Sequence, residues 1–111
     1  MESISWNDFE KVEIRTGTII KAEIFPEAKK PAYRLLIDFG ELGIKKSSAQ
    51  ITANYNIDDL VGKQIVAVLN FPPLQVANFI SECLVLGAVE SDGKVILLQT
   101  ERMTANGMRI A

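Results

Sequence analysis

From Val12 to Phe25, Ile14, Thr16, Thr18, Ile20, Ala22 and Ile24 hold one set of alternate positions, and Glu13, Arg15, Gly17, Ile19, Lys21 and Glu23 hold the other. Period-2 patterning sustained this long predicts a strand with one half-buried and one wet face. The run exceeds the usual length of about five or six residues. Gly17 near its middle predicts a bulge or sharp coil, so that one strand serves two sides of a barrel.

The later patterns read as elements closing on this strand. Upstream, Ser5–Lys11 predicts a short helix capped by Ser5 with Asp8 three residues on and Ile4 against Phe9 as a staple; Trp6 and Phe9 are expected to pack over one end of the barrel. Phe25–Ala32, with Pro26 and Pro31, reads as an irregular loop. Tyr33–Phe39 predicts a second strand with Tyr33, Leu35, Ile37 and Phe39 inward, Gly40–Gly43 a turn, and Ile44–Ile51 the most polar strand. Asn56–Val61 reads as one helical turn capped by Asn56 and stopped by Gly62. Lys63–Phe71 is apolar on both faces and ends at Pro72-Pro73. Leu74–Ile80 reads as a loop, Glu82–Val89 as another strand apolar on both faces, and Val95–Leu98 as the last, after a turn at Ser91-Asp92-Gly93. One more turn, Ala105-Asn106-Gly107, precedes the C-terminus.

Six strands at short spacing with little helix predict an all-β antiparallel barrel with short helices and a C-terminal β extension. The helical turn after the third strand falls where an oligonucleotide/oligosaccharide-binding (OB) fold places its plug. Strands buried on both faces do not suit a lone small barrel, and the second apolar face of Ile65–Phe71, Cys83–Val89 and Val95–Leu98 predicts a homodimer.

Composition narrows the function classes. The 111 residues suit one domain, 1–111, with a sizeable core. There is no histidine, and a single cysteine offers neither a disulfide nor a zinc site, so no metal, cofactor or catalytic centre is expected. No phosphate loop and no nucleophile paired with a base is recognisable. The acidic, polar N-terminus is unlike a signal peptide, and no apolar run approaches the roughly 18 residues of a membrane span. These features predict a cytoplasmic, non-enzymatic protein without a membrane partner.

Net charge is −2, so attraction for nucleic acid must come from local clustering. Between Lys29 and Lys46 five basic residues (Lys29, Lys30, Arg34, Lys45, Lys46) face only Asp38 and Glu41. A hairpin of the second and third strands would gather them on one rim, with Ser47, Ser48, Gln50 and Ser81 near enough to reach sugar or base edges. Such lysines also serve as solvated faces or edge protection. Glu82 would accept from a base amino group or pair with a lysine. Asn78 fits a turn, Asn70 stays open, and Cys83 reads as a buried small hydrophobe.

Phe9-Glu10-Lys11-Val12-Glu13-Ile14-Arg15-Thr16-Gly17 resembles the opening F-x-K-V-D-I/L-R-V-G of the tRNA-binding domain family. So do Phe25-Pro26-Glu27-Ala28-Lys29-Lys30, Asp38-Phe39-Gly40, Gln50-Ile51, Leu60-Val61-Gly62-Lys63 and Ser81-Glu82, in order from about residue 9 to 111. Pro31-Ala32-Tyr33, Ser47–Ile51, Asn70-Phe71-Pro72-Pro73 and Leu84-Val85-Leu86-Gly87 further resemble its free-standing, homodimeric CsaA branch, described as an export-related chaperone. The resemblance implies an OB-fold barrel, a two-fold dimer, structure-directed tRNA binding and an affinity for unfolded secretory polypeptides. By position it points to Lys30, Ser81 and Leu84. Ser81-Glu82-Cys83-Leu84 lacks the glycine and methionine of the family's S-E-G-M, and Leu74-Gln75 replaces basic residues, implying a greasier, less cationic surface.

Two function readings follow. The first is a homodimeric RNA-binding protein with tRNA as its partner, contacted by Lys30, Arg34, Lys45, Lys46, Ser47, Ser48, Gln50, Ser81 and Leu84. The second is a chaperone holding unfolded polypeptide on Phe71, Leu74, Val76, Phe79 and Ile80. An accessory module of a larger assembly is disfavoured by the lack of a linker-like stretch.

Overall fold

Capping chemistry starts the chain as its residues dictate. Ser5 Oγ accepts the Asp8 N–H (3.1 Å) and the Asp8 carboxylate accepts the Ser5 N–H (3.0 Å), closing a capping box on helix α1 (Trp6–Glu10). The computed structural model describes residues Met1–Ala111. Phe9 is half-buried, but Trp6 is 87% exposed and Ile4 is also exposed, so Trp6 does not cover the barrel end as expected.

Strand β1 (Ile14–Ile24) serves two neighbours. Ile14–Thr18 pairs with β4 (Gln64–Val68), and Thr18–Ile24 pairs with β2 (Tyr33–Asp38), both antiparallel. The change of partner comes with a register shift between Ile19 and Lys21, not at Gly17. An extra residue in one strand reverses the phase of the alternation beyond it. Ile19 before the shift and Ala22 beyond it therefore both turn to the core, opposite inward Ile37 and Leu35, while Ile20 at the shift and Ile24 at the strand end, both expected on the inner face, are exposed. Gly17 has a different task. A Cβ there would lie 2.6 Å from the Phe39 ring and 2.8 Å from Ile37, so glycine lets these side chains close over the strand.

The barrel sheet runs β3-β2-β1-β4-β7, with β3 at Ile44–Ala49 and β7 at Leu84–Val85, and forms an all-β OB-fold barrel. Its core is built on Ile19, Leu35, Ile37, Phe39, Leu60, Ile65 and Ala67. Leu60 follows the 3-10 turn Ile57–Asp59, entering the barrel where the plug was expected. Asn56 does not cap that turn with its side chain. Two other expectations change. Leu74–Ile80 is not a loop but holds the hairpin β5 (Leu74–Val76) and β6 (Phe79–Ser81), turning at Ala77-Asn78. The strand expected over Glu82–Val89 breaks into β7 and β8 (Gly87–Val89), and β8 pairs with β9 (Val95–Leu97) in a separate ribbon.

All five residues of β4 are buried within the single chain. The C-terminal tail bonds to the Gln64 end of β4 and to Thr16 of neighbouring β1. Thr16 donates its N–H to the Met108 carbonyl (3.0 Å) and its hydroxyl to the Ala105 carbonyl (2.8 Å), while Gln64 Nε2 donates to the Thr104 carbonyl (2.7 Å). The double-sided pattern of this strand thus needs no second subunit. Asn70, left open by sequence, ties α1 to the barrel: its Nδ2 donates to the Lys11 carbonyl (2.6 Å) and its Oδ1 accepts the Glu13 N–H (2.9 Å). Glu13 in turn takes Arg15 Nε (3.1 Å) and Arg109 Nη1 (2.9 Å).

Gly17→Ala should cost about 1–3 kcal/mol by forcing Phe39 and Ile37 apart, read as a lower urea midpoint; an unchanged midpoint would show that this contact is loose. The Arg15 hydrogen bond holds the Glu13 carboxyl below the ordinary value of 4.5. A lowered folded-state value stabilises above the unfolded value and is lost as pH falls through the folded one. Glu13→Gln should therefore flatten the acid limb of the stability curve below pH 4.5, and an unchanged limb would exclude the contribution.

Candidate nucleic-acid interface

Alternation along β3 sorts the candidate residues onto two faces. Ser47 and Ala49 are buried, and Lys45 shares their side; Lys46 and Ser48 lie on the opposite side with Gln50 just beyond. Register places Arg34 of β2 beside Ser48 and Leu36 beside Lys46. The single rim expected for Lys45 and Lys46 is therefore divided. Lys45 opens onto a separate hollow with Glu13, Arg15 and Asn70.

The seam between β3 and the segment before β7 consumes several of the expected ligand-binding groups. Glu82 donates its N–H to the Lys46 carbonyl (2.8 Å), and its carboxylate accepts the Lys46 N–H (3.0 Å). Ser81 Oγ accepts the Ser48 N–H (3.2 Å) and donates to the Cys83 carbonyl (3.2 Å). Ser47 is 1% exposed, with its hydroxyl on the Cys83 carbonyl (3.1 Å). The expected contact of Ser47 with a ligand is thus corrected: it seals the barrel wall. Glu82 pairs with backbone rather than with a lysine. Cys83 is buried beside it, and desolvation pushes its thiol up to about 11.

Outside this seam runs a groove of about 470 Å³, bounded by Ser48, Gln50, Phe71, Leu74, Val76, Ser81 and Leu84. It shares Ser48, Gln50 and Val76 with a hollow of about 350 Å³ whose far wall is Glu27, Lys29 and Lys30. Residues assigned by sequence to RNA and residues assigned to polypeptide thus line one continuous depression. Phe71, Leu74 and Leu84 give it an exposed apolar wall, and Lys29 and Lys30 a cationic end.

Arg34, Lys46 and Phe79 lie elsewhere, around a smaller hollow with Lys21 and Glu23. Phe79 stacks edge-on against buried Phe25 (centroids 5.5 Å apart, planes at 60°). Arg34 sits over the Phe25 ring at 5.4 Å and Lys46 over the Phe79 ring at 5.3 Å. Phe79 is therefore the anchor of the β5–β6 hairpin rather than a free wall of the apolar groove. Ile80, paired with Gln75 on the other side of the hairpin, lies outside the groove.

A family model described as "Putative tRNA binding domain" matches residues 14–109. The chain belongs to the tRNA-binding domain family. This tRNA-binding domain is similar to the crystal structure of chaperone CsaA from Bacillus anthracis, with 55% identity, a TM-score of 0.95 and coverage of 99% of this chain and 100% of that one. It is also similar to CsaA from Picrophilus torridus, at 54% identity and TM-score 0.91, covering 98% of this chain and 100% of that one. Methionine–tRNA ligase of Methanocaldococcus jannaschii is 30% identical over 110 residues, which are 99% of this chain but 17% of the ligase. The chain thus spans less than a fifth of that curated relative's length. It is a CsaA-like binding domain, and none of its helices is long and apolar enough to cross a membrane.

Ser81→Ala should act on stability, costing about 1–3 kcal/mol because the Ser48 N–H loses its partner; a thermal midpoint equal to wild type would contradict this. A raised folded-state value means the Cys83 contribution is present below the ordinary thiol value of 9.0 and is lost as pH rises toward 11. Iodoacetamide at neutral pH should label the native protein far more slowly than the urea-unfolded chain, and equal rates would show that the seam is open.

Proposed function

We propose that the chain is a non-enzymatic, cytoplasmic tRNA-binding protein acting as a homodimer. The observation carrying this reading is the groove beside the outer face of β3, with Lys29 and Lys30 at one end and exposed Gln50 along its wall. Lysines hold phosphate and fix register, while Gln50 and half-buried Ser48 offer hydrogen bonds to sugar or base edges. Leu84 supplies an apolar surface for an unstacked base. With a net charge of −2 the whole-molecule field does not draw RNA, so these local cations carry the electrostatic part. The family model and the CsaA-like neighbours support the same reading.

The dimer is supported by an apolar face on the C-terminal ribbon. Register puts Ala88 beside Ile96, and Ile96 and Leu98 alternate with half-buried Val95 and buried Leu97, so an exposed apolar strip faces outward. A second copy covering that strip would bury apolar surface at roughly 25 cal/mol per Å². Light scattering should give twice the 12.3 kDa chain mass, and Ile96→Glu should give a monomer. A monomeric wild type overturns the dimer.

A second reading rests on the exposed wall of Phe71, Leu74 and Leu84, which suits an extended polypeptide, as the chaperone neighbours suggest. Leu74→Ser should weaken binding of an extended apolar peptide and leave the salt dependence of RNA binding intact. Peptide affinity unchanged by Leu74→Ser would remove this reading.

For the RNA reading, log affinity should fall with log salt by roughly 0.7–0.9 per phosphate contact. Lys30→Ala should reduce the slope by about one such contact, whereas Lys45→Ala, on the opposite side of β3, should leave it unchanged. One tRNA should bind per dimer. The reverse pattern between the two lysines would move the site to the other side of β3.

A further inference from the structure

The hollow between β1, β2, β3 and the β5–β6 hairpin holds three cations, Lys21, Arg34 and Lys46, and one carboxylate, Glu23. Glu23 serves two of them at long range, reaching Lys21 Nζ at 3.3 Å and Arg34 Nη2 at 3.5 Å. Lys46 has no carboxylate partner and rests over the Phe79 ring. Arg34 Nε is buried with no hydrogen-bond partner at all. A guanidinium held against an aromatic ring and missing one of its edge partners is an unfinished anion receptor. Buried donors are paired in the great majority of cases, and an orphan calls for a ligand or a role.

We propose that this hollow is a second anion site, which binds a phosphate group. The proposal rests on the RNA reading only for the source of that phosphate. The Nε–Nη2 edge of arginine matches two oxygens of one tetrahedral anion. A phosphate entering the hollow takes Nη2 from Glu23 and draws the neighbouring Nε–H into a bidentate pair. Its remaining oxygens meet the ammonium groups of Lys46 and Lys21. One glutamate carboxylate leaves three cations undercompensated, and the incoming charge offsets that excess. Val76 and Ala77 of the hairpin line the Lys29–Lys30 end of the main groove and Phe79 lines this hollow, so a sugar-phosphate chain bound at both sites runs along the hairpin. Lys21 is then a phosphate contact on β1.

The test uses the full chain. The Arg34 Nε–H signal is followed by NMR during titration with inorganic phosphate, and tRNA binding is measured against salt in parallel. The expected result is a saturable shift of the Arg34 signal, weakened severalfold in both Lys21→Ala and Lys46→Ala. A smaller salt slope for tRNA in Lys21→Ala, by about one contact, identifies RNA as the source of the phosphate. A shift with inorganic phosphate but no tRNA binding keeps the anion site and removes the RNA reading. No shift with phosphate, together with tRNA binding whose slope Lys21→Ala leaves unchanged, overturns the anion site and leaves the RNA reading standing.

Discussion

The barrel is closed by side chains where its ladder runs out. The sheet ends at β3 on one side and β7 on the other, and the gap is bridged by Ser47, Ser81 and Glu82 bonding to backbone across the seam. These bonds satisfy edge N–H and C=O groups, and a buried group left unpaired costs about 1–3 kcal/mol. Because Glu82 and Ser81 are held against Lys46 and Ser48, the segment leading into β7 runs alongside β3 at a set distance. That distance makes the groove: Ser48 and Gln50 form one wall, and Phe71, Leu74 and Leu84 the other.

The hairpin above the seam rests on different physics. Phe25, delivered by the end of β1, is buried beneath Phe79, and Arg34 and Lys46 lie over the two rings. Cations on aromatic faces add roughly 0.5–1 kcal/mol at exposed sites and more when desolvated. The same two cations border the hollow with Lys21 and Glu23, so hairpin docking and the charge of that hollow draw on one pair of side chains. A surface with net charge −2 thereby presents positive charge in two hollows that a short hairpin helps to line. The main groove joins two kinds of surface, with its polar end toward Lys30 and its apolar wall toward Phe71.

What the sequence by itself determined was local. The capping box at Ser5 and Asp8, the long first strand with two neighbours, and the inward set Tyr33, Leu35, Ile37 and Phe39 follow from patterns spanning a few residues. The ordered motifs from Phe9 onward carried the family and with it the OB fold.

Tertiary structure decided what depends on residues far apart in the chain. The phase flip at Ile20 arises from the register shift against β2, which no alternation within β1 can reveal. All of β4 is buried within the one chain, and a tail some forty residues later bonds to its Gln64 end, so its double-sided pattern does not by itself call for a subunit. Lys45 and Lys46 part because neighbours on a strand point to opposite faces, a rule legible in the sequence once the strand is placed. Ser47 and Ser81 carry hydroxyls suited equally to a ligand and to a seam, and only the approach of Cys83 and Ser48 commits them. Polar side chains take whatever partner the fold brings within hydrogen-bond reach, so their roles are set by closure of the barrel rather than by their own identity.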